Sequence, residues 1–423
     1  MKGVAARERA EHIVVGPAEW PMVRLRDVAT FAHGSTPSKA NCGYWDGAVP
    51  WVSPKDFRAQ RLADAQDHIS ETAIEEGEAV VATPGSVLVV VRSGILKRRL
   101  PVAIADVRLT FNQDVKSIRP VAGHLRAEYL ALMLRAAEPC VVQDGVKVGP
   151  TVHSIKSGYL ENFSIPLPPL AEQERIAGRL TEQLAAVERA RGAAQARLAA
   201  AEALPAAYLR EVFEGPQASG WEAVTIRDLA ETCSGATPPR GHKSYFGGDI
   251  PWVKTGELQD GPVCADGSTE ETVSPEALRD CSLPLLPPGT LLIAMYGQGK
   301  TRGRTGLLMR EGTTNQACFA ILPRPDMFDS GLLQYWFRAN YSRLRALTEA
   351  RGGNQPNLNG VLLRELEVTL PPLPAQRRIA ADLAARLAGA ERLAEGIRAE
   401  LAAIEALPAA LLREAFGGSE VHE

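Results

Sequence analysis

The sequence predicts an α+β fold that is built twice, with two mixed α/β domains and two long helices that pair as an intramolecular coiled coil. Three observations predict this fold. The chain repeats itself at a nearly constant spacing, each repeat ends in a long stretch of helix-forming residues, and strand-like runs between Gly, Pro and Ser clusters fill the rest. A period this long excludes a solenoid of short repeats and indicates a duplicated domain-plus-helix unit.

The helical stretch occurs at residues 168–213 and again at 371–416. Each copy starts after prolines and is dominated by residues that lose little freedom in a helix. Apolar positions then alternate in steps of four and three, which is typical of a coiled-coil seam. The first seam consists of Leu180, Leu184, Val187, Arg191, Ala194, Leu198 and Ala201, and the second of Leu383, Leu387, Ala390, Ala394, Ile397, Leu401 and Ile404. We expect the seams to pair with each other, the alternative being that each helix packs on its own domain. Pro205 and Pro408 are expected to kink or interrupt the helices near their ends.

Composition limits the function classes. A chain of 423 residues has room for two or three domains with their own cores. It is 45% hydrophobic and 23% charged, it has no apolar run long enough to cross a bilayer, and it begins without the apolar core of a signal peptide, so a cytoplasmic protein is expected. The six cysteines form no CxxC pair, which argues against a zinc site. The net charge of −3 means that any contact with nucleic acid must come from local basic patches.

The repeat predicts the domain boundaries. They are a leader at 1–19, domains at 20–168 and 216–371, helices at 169–215 and 372–418, and a tail at 419–423. Within the domains, Pro-Trp-Val occurs around Trp51 and again around Trp252, and these tryptophans are expected to be core residues rather than platforms for stacking bases. The Gly-x-Thr-Pro segments that begin at Gly34 and Gly235 are expected to be structural turns, with a phosphate contact as the alternative. Each domain should also contain one amphipathic helix, at 129–136 and 332–339.

A basic, glycine-containing loop follows an apolar strand at the same place in both repeats. Its candidate DNA contacts are Arg92, Ser93, Lys97, Arg98 and Arg99 in the first copy and Lys300, Arg302 and Arg304 in the second. Glycine lets a polyanion approach the backbone, and the cations can neutralise phosphates. The second copy also ends in Gly-Lys-Thr like a phosphate-binding loop, but Ala294 replaces the first glycine of that motif and no helix is expected to follow. An ATP site at Lys300 and a merely solvated loop are the alternatives.

A second loop precedes each long helix. It supplies Lys147 in the first copy and Asn354, Gln355 and Asn357 in the second. Amide side chains can read adenine edges, although an Asn- and Gly-rich loop is also typical of a tight connection. The two loops differ strongly in sequence, which favours two related domains that bind different targets. No nucleophile elbow, methyltransferase motif, metal cluster or carboxylate pair is present, so the sequence predicts no catalytic residue and no cofactor.

Taken together, these motifs resemble the specificity (S) subunits of Type I restriction-modification systems. The resemblance rests on the Pro-Leu-Pro-Pro-Leu-Ala-Glu-Gln start of the first helix, its copy at 370–379, the shared Ala-Leu-Pro-Ala-Ala helix ends and the Pro-Trp-Val strands. Ala375-Gln376 departs from the usual Glu-Gln pair, which puts a capping or partner contact there in doubt.

The resemblance implies two target-recognition domains related by a pseudo-two-fold duplication and held by two antiparallel helices. It further implies a non-catalytic reader of a bipartite target in double-stranded DNA, with two modification (methyltransferase) subunits and a restriction subunit as partners. The exposed face around Arg175, Glu182, Arg189 and Arg197 is where methyltransferase docking is expected, a solvated face being the alternative. The competing function is a two-armed protein scaffold that does not bind DNA.

Overall fold

The two halves of the chain share most of their sheets. The computed structural model describes residues 20–149, 152–266, 269–297, 300–349 and 357–417. These residues form two compact units, which divide within the long helices: the first comprises the chain up to Ala194 together with the segment from Glu400, and the second comprises Gln195–Ala399. Each unit therefore contains one β-rich domain and parts of both long helices.

The first unit contains fourteen strands in its described residues. They are β1 (Met22–Arg24), β2 (Ala29–His33), β3 (Val49–Val52), β4 (Arg61–Leu62), β5 (Asp67–Ile69), β6 (Val81–Ala82), β7 (Val87–Val90), β8 (Arg92–Ser93), β9 (Val102–Ala105), β10 (Leu109–Phe111), β11 (Val115–Pro120), β12 (Val146–Lys147), β13 (His153–Ile155) and β14 (Ser164–Pro166). They form sheets in the orders β2-β11-β7-β9-β4, β5-β3-β10-β6, β12-β13-β8 and β1-β14. The short helices are α1 (Leu25–Val28), α2 (Glu71–Glu75), α3 (Ala127–Ala136), α4 (Glu138–Cys140) and α5 (Tyr159–Asn162), and the first long helix is α6 (Leu170–Phe213).

The second unit repeats three of these four sheets. Its strands are β15 (Glu222–Thr225), β16 (Thr232–Ser234), β17 (Phe246–Val253), β18 (Gly261–Val263), β19 (Thr272–Val273), β20 (Leu291–Ala294), β21 (Thr305–Leu308), β22 (Thr313–Thr314), β23 (Cys318–Ile321) and β24 (Glu367–Leu370). The sheet orders β16-β23-β20-β21-β18 and β15-β24 match those of the first unit, and β19-β17-β22 matches the first three strands of β5-β3-β10-β6. The helices are α7 (Ile226–Leu229), α8 (Pro275–Asp280), α9 (Ser330–Ala339), α10 (Tyr341–Glu349), α11 (Gly360–Arg364) and the second long helix, α12 (Leu373–Phe416). The α+β prediction and the duplicated order of elements are confirmed.

The main core of each unit lies between its five-stranded sheet, its amphipathic helix and the ends of the long helices. In the first unit, α3 contributes Tyr129, and the C-terminal end of α12 contributes Phe416, which is 1% exposed. The two rings meet edge to face with their centroids 5.5 Å apart. In the second unit, Phe213 at the end of α6 packs against Trp221 at a centroid distance of 6.0 Å. The ends of both long helices are therefore parts of a domain core.

Most positions of the predicted coiled-coil seams are buried, as the heptad spacing predicts. Leu180, Leu184, Val187, Ala194 and Ala201 are buried in α6. Four seam residues of α12 are also buried: Leu383, Ala390, Ala394 and Ile397. Within the second unit the helices run antiparallel, because the Glu211 carboxylate binds Arg386 at 2.5 Å and the Glu202 carboxylate binds Arg398 at 2.9 Å. The charged seam position Arg191 stays exposed and pairs with Glu188 on its own helix.

Of the kink or interruption expected at each proline, the interruption is wrong. Both helices continue past Pro205 and Pro408, to Phe213 and Phe416. A proline inside a helix removes one hydrogen bond and costs about 3 kcal/mol or more. The buried aromatic residue at each helix end offsets this cost, since full burial of such a side chain contributes a comparable free energy.

The glutamines at the helix starts explain the proline-rich motif. Gln173 is fully buried, donates from Nε2 to the Pro168 carbonyl at 2.9 Å and accepts the backbone N–H of Arg126 at 2.9 Å. Gln376 donates to the Pro371 carbonyl at 2.9 Å and accepts an N–H of the second domain in the same way. Each glutamine joins the first turn of a long helix to the loop before the amphipathic helix of the same unit. The replacement of glutamate by Ala375 leaves this contact intact.

Candidate nucleic-acid interface

The two loops selected from the sequence meet in each domain. In the first domain, the backbone N–H of Ile155 donates to the Val91 carbonyl at 2.8 Å. In the second domain, the N–H of Leu358 donates to the Met295 carbonyl at 3.1 Å. The same main-chain bond therefore joins the basic loop to the loop before the long helix in both repeats.

The first domain builds a small sheet at this junction. In β12-β13-β8, Lys147 lies opposite Ser154, and Ser154 lies opposite Arg92. Residues in one row of a sheet project to the same face, and two strand spacings of about 4.8 Å put the backbones of Arg92 and Lys147 roughly 10 Å apart. The structure thus places two cations that are far apart in sequence side by side on one surface.

A turn beside this sheet exposes further cations. The Ser93 hydroxyl accepts the Ile95 N–H at 3.4 Å, so Ser93 caps the 3-10 turn Gly94–Lys97. Leu96 is fully buried and anchors the turn, while Lys97, Arg98 and Arg99 are exposed. In the part of the chain that the structure describes, no carboxylate lies within salt-bridge distance of these three side chains or of Lys147.

The charges of Arg92 and Arg99 are less available to a ligand than those of Lys97 and Arg98. Arg92 has only a long contact with a carboxylate, 3.9 Å from its Nε to Asp114 Oδ1. Arg99 lines a cavity of about 730 Å³ whose walls also contain Arg135, Glu138 and Glu188. Among the predicted contacts of the first domain, Lys97, Arg98 and Lys147 are therefore the residues whose charge is most available to a polyanion.

The second domain presents fewer free cations. Lys300 is exposed, and its carbonyl accepts a hydrogen bond from the Tyr341 hydroxyl at 2.6 Å. Arg302 is only 5% exposed, and Arg304 is bound to Asp260 at 2.5 Å. Burial of Arg302 and neutralisation of Arg304 leave Lys300 as the predicted cation of this loop that faces solvent without a carboxylate partner in the described residues.

The amide loop of the second domain is described only in part. Asn357 is exposed beside the junction with Met295. Asn354 and Gln355 lie outside the described residues. Asn359 accepts the Leu362 N–H at 2.8 Å and caps α11, so this end of the loop is a helix start.

The segment after Lys300 does not form a nucleotide-binding loop. It turns at Arg302 and Gly303 and enters β21, whose first residue is Thr305. In a phosphate-binding loop the lysine opens a helix whose N-terminal amides hold the phosphate. The strand at this position removes the structural basis for the ATP alternative.

The Gly-Thr-Pro turns are built identically in both domains. A Cβ added at Gly34 would lie 2.2 Å from the Asn112 carbonyl oxygen, and one added at Gly235 would lie 1.6 Å from that of Thr314. The Thr36 hydroxyl bonds the Gln113 side chain at 2.5 Å, and Thr237 bonds Gln316 in the same way. Close backbone approach therefore explains the glycines, as expected for structural turns.

The paired tryptophans are core residues, as expected. Trp51 is 6% exposed and Trp252 is 1% exposed. Each indole N–H donates to a backbone carbonyl of the Gly-Thr-Pro turn at 3.1 Å, to Ser35 in the first domain and to Ala236 in the second. Both rings are therefore mostly buried, which argues against a broad platform for stacked bases.

The predicted docking face on α6 is accessible. Arg175, Glu182, Arg189 and Arg197 are all exposed. Arg175 forms two hydrogen bonds to Glu172 on its own helix, at 2.6 and 2.7 Å. Within the described ranges, no helix is long and apolar enough to cross a membrane, and no three metal-ligating side chains form a cluster.

Fold and surface together define a class of protein: a duplicated α+β chain with one diverged, basic loop junction per repeat and two long helices. A family model described as the Type I restriction modification DNA specificity domain matches residues 17–192 and again 218–403. The chain belongs to this family and contains two copies of its domain.

Individual relatives agree with this assignment. The specificity subunit of the Type I restriction enzyme EcoR124I/EcoR124II of Escherichia coli is 35% identical over 162 residues, which cover 38% of this chain and 39% of that protein. The specificity subunit of the Type I restriction enzyme MjaIX of Methanocaldococcus jannaschii is 24% identical over 380 residues, 85% of this chain and 84% of that protein.

Solved structures share the fold. A chain from a structure of complex assembly and conformational transition in the type I R-M system matches with a TM-score of 0.69 and 20% identity, covering 96% of this chain and 99% of that chain. The HsdS subunit from Thermoanaerobacter tengcongensis matches with a TM-score of 0.64 and 21% identity, covering 95% and 97%.

Proposed function

We propose that this chain is the non-catalytic, cytoplasmic DNA reader of a Type I restriction-modification complex and that each domain binds one half of a bipartite DNA target. The observation that carries the proposal is the repeated loop junction. The same main-chain bond joins the two loops in both domains, while the side chains at the junction differ. A shared scaffold with different loop chemistry is what two half-sites of different sequence require.

The chemistry of the junction fits contact with a DNA backbone. Lys97, Arg98 and Lys147 in the first domain, and Lys300 in the second, are exposed cations without a carboxylate partner among the described residues. Neutralising a phosphate with such a side chain releases a counterion, so binding weakens as salt rises. An overall charge of −3 leaves no general attraction to DNA, so these local patches must supply the attraction.

The test measures DNA binding by the full chain co-expressed with its modification subunit. Selection from a random DNA pool should enrich one bipartite sequence. Lys97→Ala should weaken binding to all sequences alike and reduce the slope of log K against log salt by about one. Arg108→Ala is the matched control, because Arg108 is already neutralised by Glu71 at 2.6 Å and should leave the slope unchanged. Binding without any sequence preference would overturn the proposed sequence reader, and no binding at all would favour the two-armed scaffold.

The same proposal assigns the exposed face of α6 to the modification subunits. Arg175, Glu182, Arg189 and Arg197 face solvent, while the apolar seam of the same helix is buried. We infer that a charge reversal on this face, Arg189→Glu, reduces co-purification of the modification subunit without changing the thermal stability of the chain. Unchanged co-purification would show that the modification subunit docks on another surface. The docking surface of the restriction subunit would then be sought with the same kind of charge reversal.

A further inference from the structure

The two domains differ at one aromatic site, although the repeat places equivalent positions there in both. In the second domain the guanidinium of Arg240 lies over Phe246 at 4.8 Å and over Trp252 at 5.4 Å from the ring centroids. The carboxylate of Glu271 holds it with two hydrogen bonds of 2.5 and 3.1 Å. An arginine of the chain itself therefore fills a site made of two rings and a carboxylate, in which stacking and ion pairing act together.

The first domain has the same site without its occupant. Trp45 and Trp51 stand in place of Phe246 and Trp252, with their rings edge to face at 5.0 Å. Asp67 pairs with Trp51 across the sheet, as Glu271 does with Trp252. The walls, the backbone register and the acidic residue are thus retained from one repeat to the other.

What is absent in the first domain is a cation bound between the two rings and the carboxylate. Two residues after the shared Thr-Pro, Lys39 replaces Arg240. Lys39 is exposed, and in the described residues it makes neither an ion pair nor a ring contact. The space is instead a cavity of about 630 Å³, lined by Lys39, Asp46, Trp45, Trp51, Gln66, Asp67 and His68 among others.

The carboxylates of this cavity have capacity for a second positive charge. Glu271 binds two cations, Arg240 and Lys254, the latter at 2.9 Å. Asp67 binds only Lys55, through Oδ2 at 2.7 Å, in the described part of the chain. Asp46, which also lines the cavity, has no charged partner there. The first domain thus retains the carboxylates of this site but lacks the bound arginine that pairs with the carboxylate in the second domain.

We propose that the cavity of the first domain binds the arginine side chain of a protein partner, with the guanidinium over Trp45 and Trp51 and paired to Asp67. Arginine suits this site because its planar guanidinium can stack on aromatic rings and pair with a carboxylate at the same time. A nucleic-acid phosphate would meet two carboxylates here, which disfavours DNA as the occupant. The site distinguishes the two repeats and would allow a partner to recognise the first domain alone, independently of DNA reading.

The test uses the full chain labelled with 5-fluorotryptophan and the probe N-acetyl-L-arginine amide, observed by ¹⁹F NMR. The six tryptophans include Trp45 and Trp51, so the response is specific to position. We expect saturable shifts of these two resonances at millimolar probe, in line with one stacked ion pair. The resonance of Trp252 should not respond, because Arg240 already occupies that site.

Two substitutions should exchange the binding properties of the two sites, and a third tests the carboxylate. Arg240→Ala should open the second site and make Trp252 respond to the probe. Lys39→Arg should fill the first site from within and weaken the response of Trp45 at least tenfold. Asp67→Asn should weaken it similarly, with the fold of the first unit checked by the unchanged resonance of Trp20, which packs against the core of the same unit.

Three results would each contradict the inference. The inference is overturned if the wild-type chain shows no saturable shift, if Lys39→Arg leaves the response unchanged, or if a mononucleotide shifts Trp45 at lower concentration than the arginine probe. The last result would identify the cavity as a base-binding site.

Discussion

Removal of the ring of Phe416 tests the assignment of the end of α12 to the core of the first domain. The side chain is 1% exposed and packs on Tyr129, whose hydroxyl donates to the Pro166 carbonyl at 2.8 Å. Truncation of a buried phenylalanine to alanine costs about 3–5 kcal/mol. Burial of roughly 150–200 Å² at about 25 cal/mol per Å² gives a similar figure of about 4–5 kcal/mol.

Native-state hydrogen exchange can assign this loss to one unit. For Phe416→Ala, protection of the β7 and β9 amides should fall by about 150- to 5,000-fold, which is the same free energy expressed as an equilibrium ratio. Protection of β20 and β23 in the second unit should stay within a few-fold of wild type. Leu407→Ala is the control on the same helix, because Leu407 is 43% exposed. Equal losses in both units, or a loss below tenfold in β7 and β9, would refute the assignment.

Two further changes test the second domain. Gly235→Ala should lower the melting temperature, because its Cβ would lie 1.6 Å from the Thr314 carbonyl oxygen; overpacking of this kind costs about 1–3 kcal/mol or more. Gly241→Ala, with no atom within 4 Å of the added Cβ, should change it little, and equal effects would contradict the close approach. Hydrogen bonds from Arg240 and Lys254 lower the pKa of Glu271 to about 2 from its ordinary 4.5. Because the folded-state pKa is the lower one, the stabilisation is present above pH 4.5 and is lost as pH falls towards 2. Glu271→Gln should therefore flatten the pH dependence of the unfolding free energy in this window, and an unchanged slope would count against the ion pairs.

The parts of the candidate interface that sequence alone could predict are those with a local signature. The basic loop of the first domain is recognisable because Lys97, Arg98 and Arg99 follow one another after a strand. The sequence could not show that Lys147 lies in one row with Arg92, since that depends on the register of three strands. It also could not separate Lys300 from Arg302, because burial of the arginine depends on how the loop folds back on the domain.

Two further features have a signal in the sequence. Gln173 and Gln376 occur at the same position of both helix starts, and a polar side chain repeated there could have indicated a bond to the domain. Lys39 and Arg240 also align in the repeats, and comparison of the two would have indicated a difference. The consequence of this difference between Lys39 and Arg240 depends on the rings and the carboxylate around Arg240, which come from distant parts of the chain.

The duplication, the α+β class and the positions of the seams follow from the amino-acid sequence alone, because repeats and heptad spacing are properties of the order of residues along the chain. Only the tertiary structure shows that the helices continue past Pro205 and Pro408, where burial of Phe213 and Phe416 at the helix ends offsets the local cost of proline. It also decided which cations are free. The charge of a side chain is fixed by its type, but its availability depends on burial and on carboxylates supplied by strands far away in sequence, as Asp260 shows for Arg304.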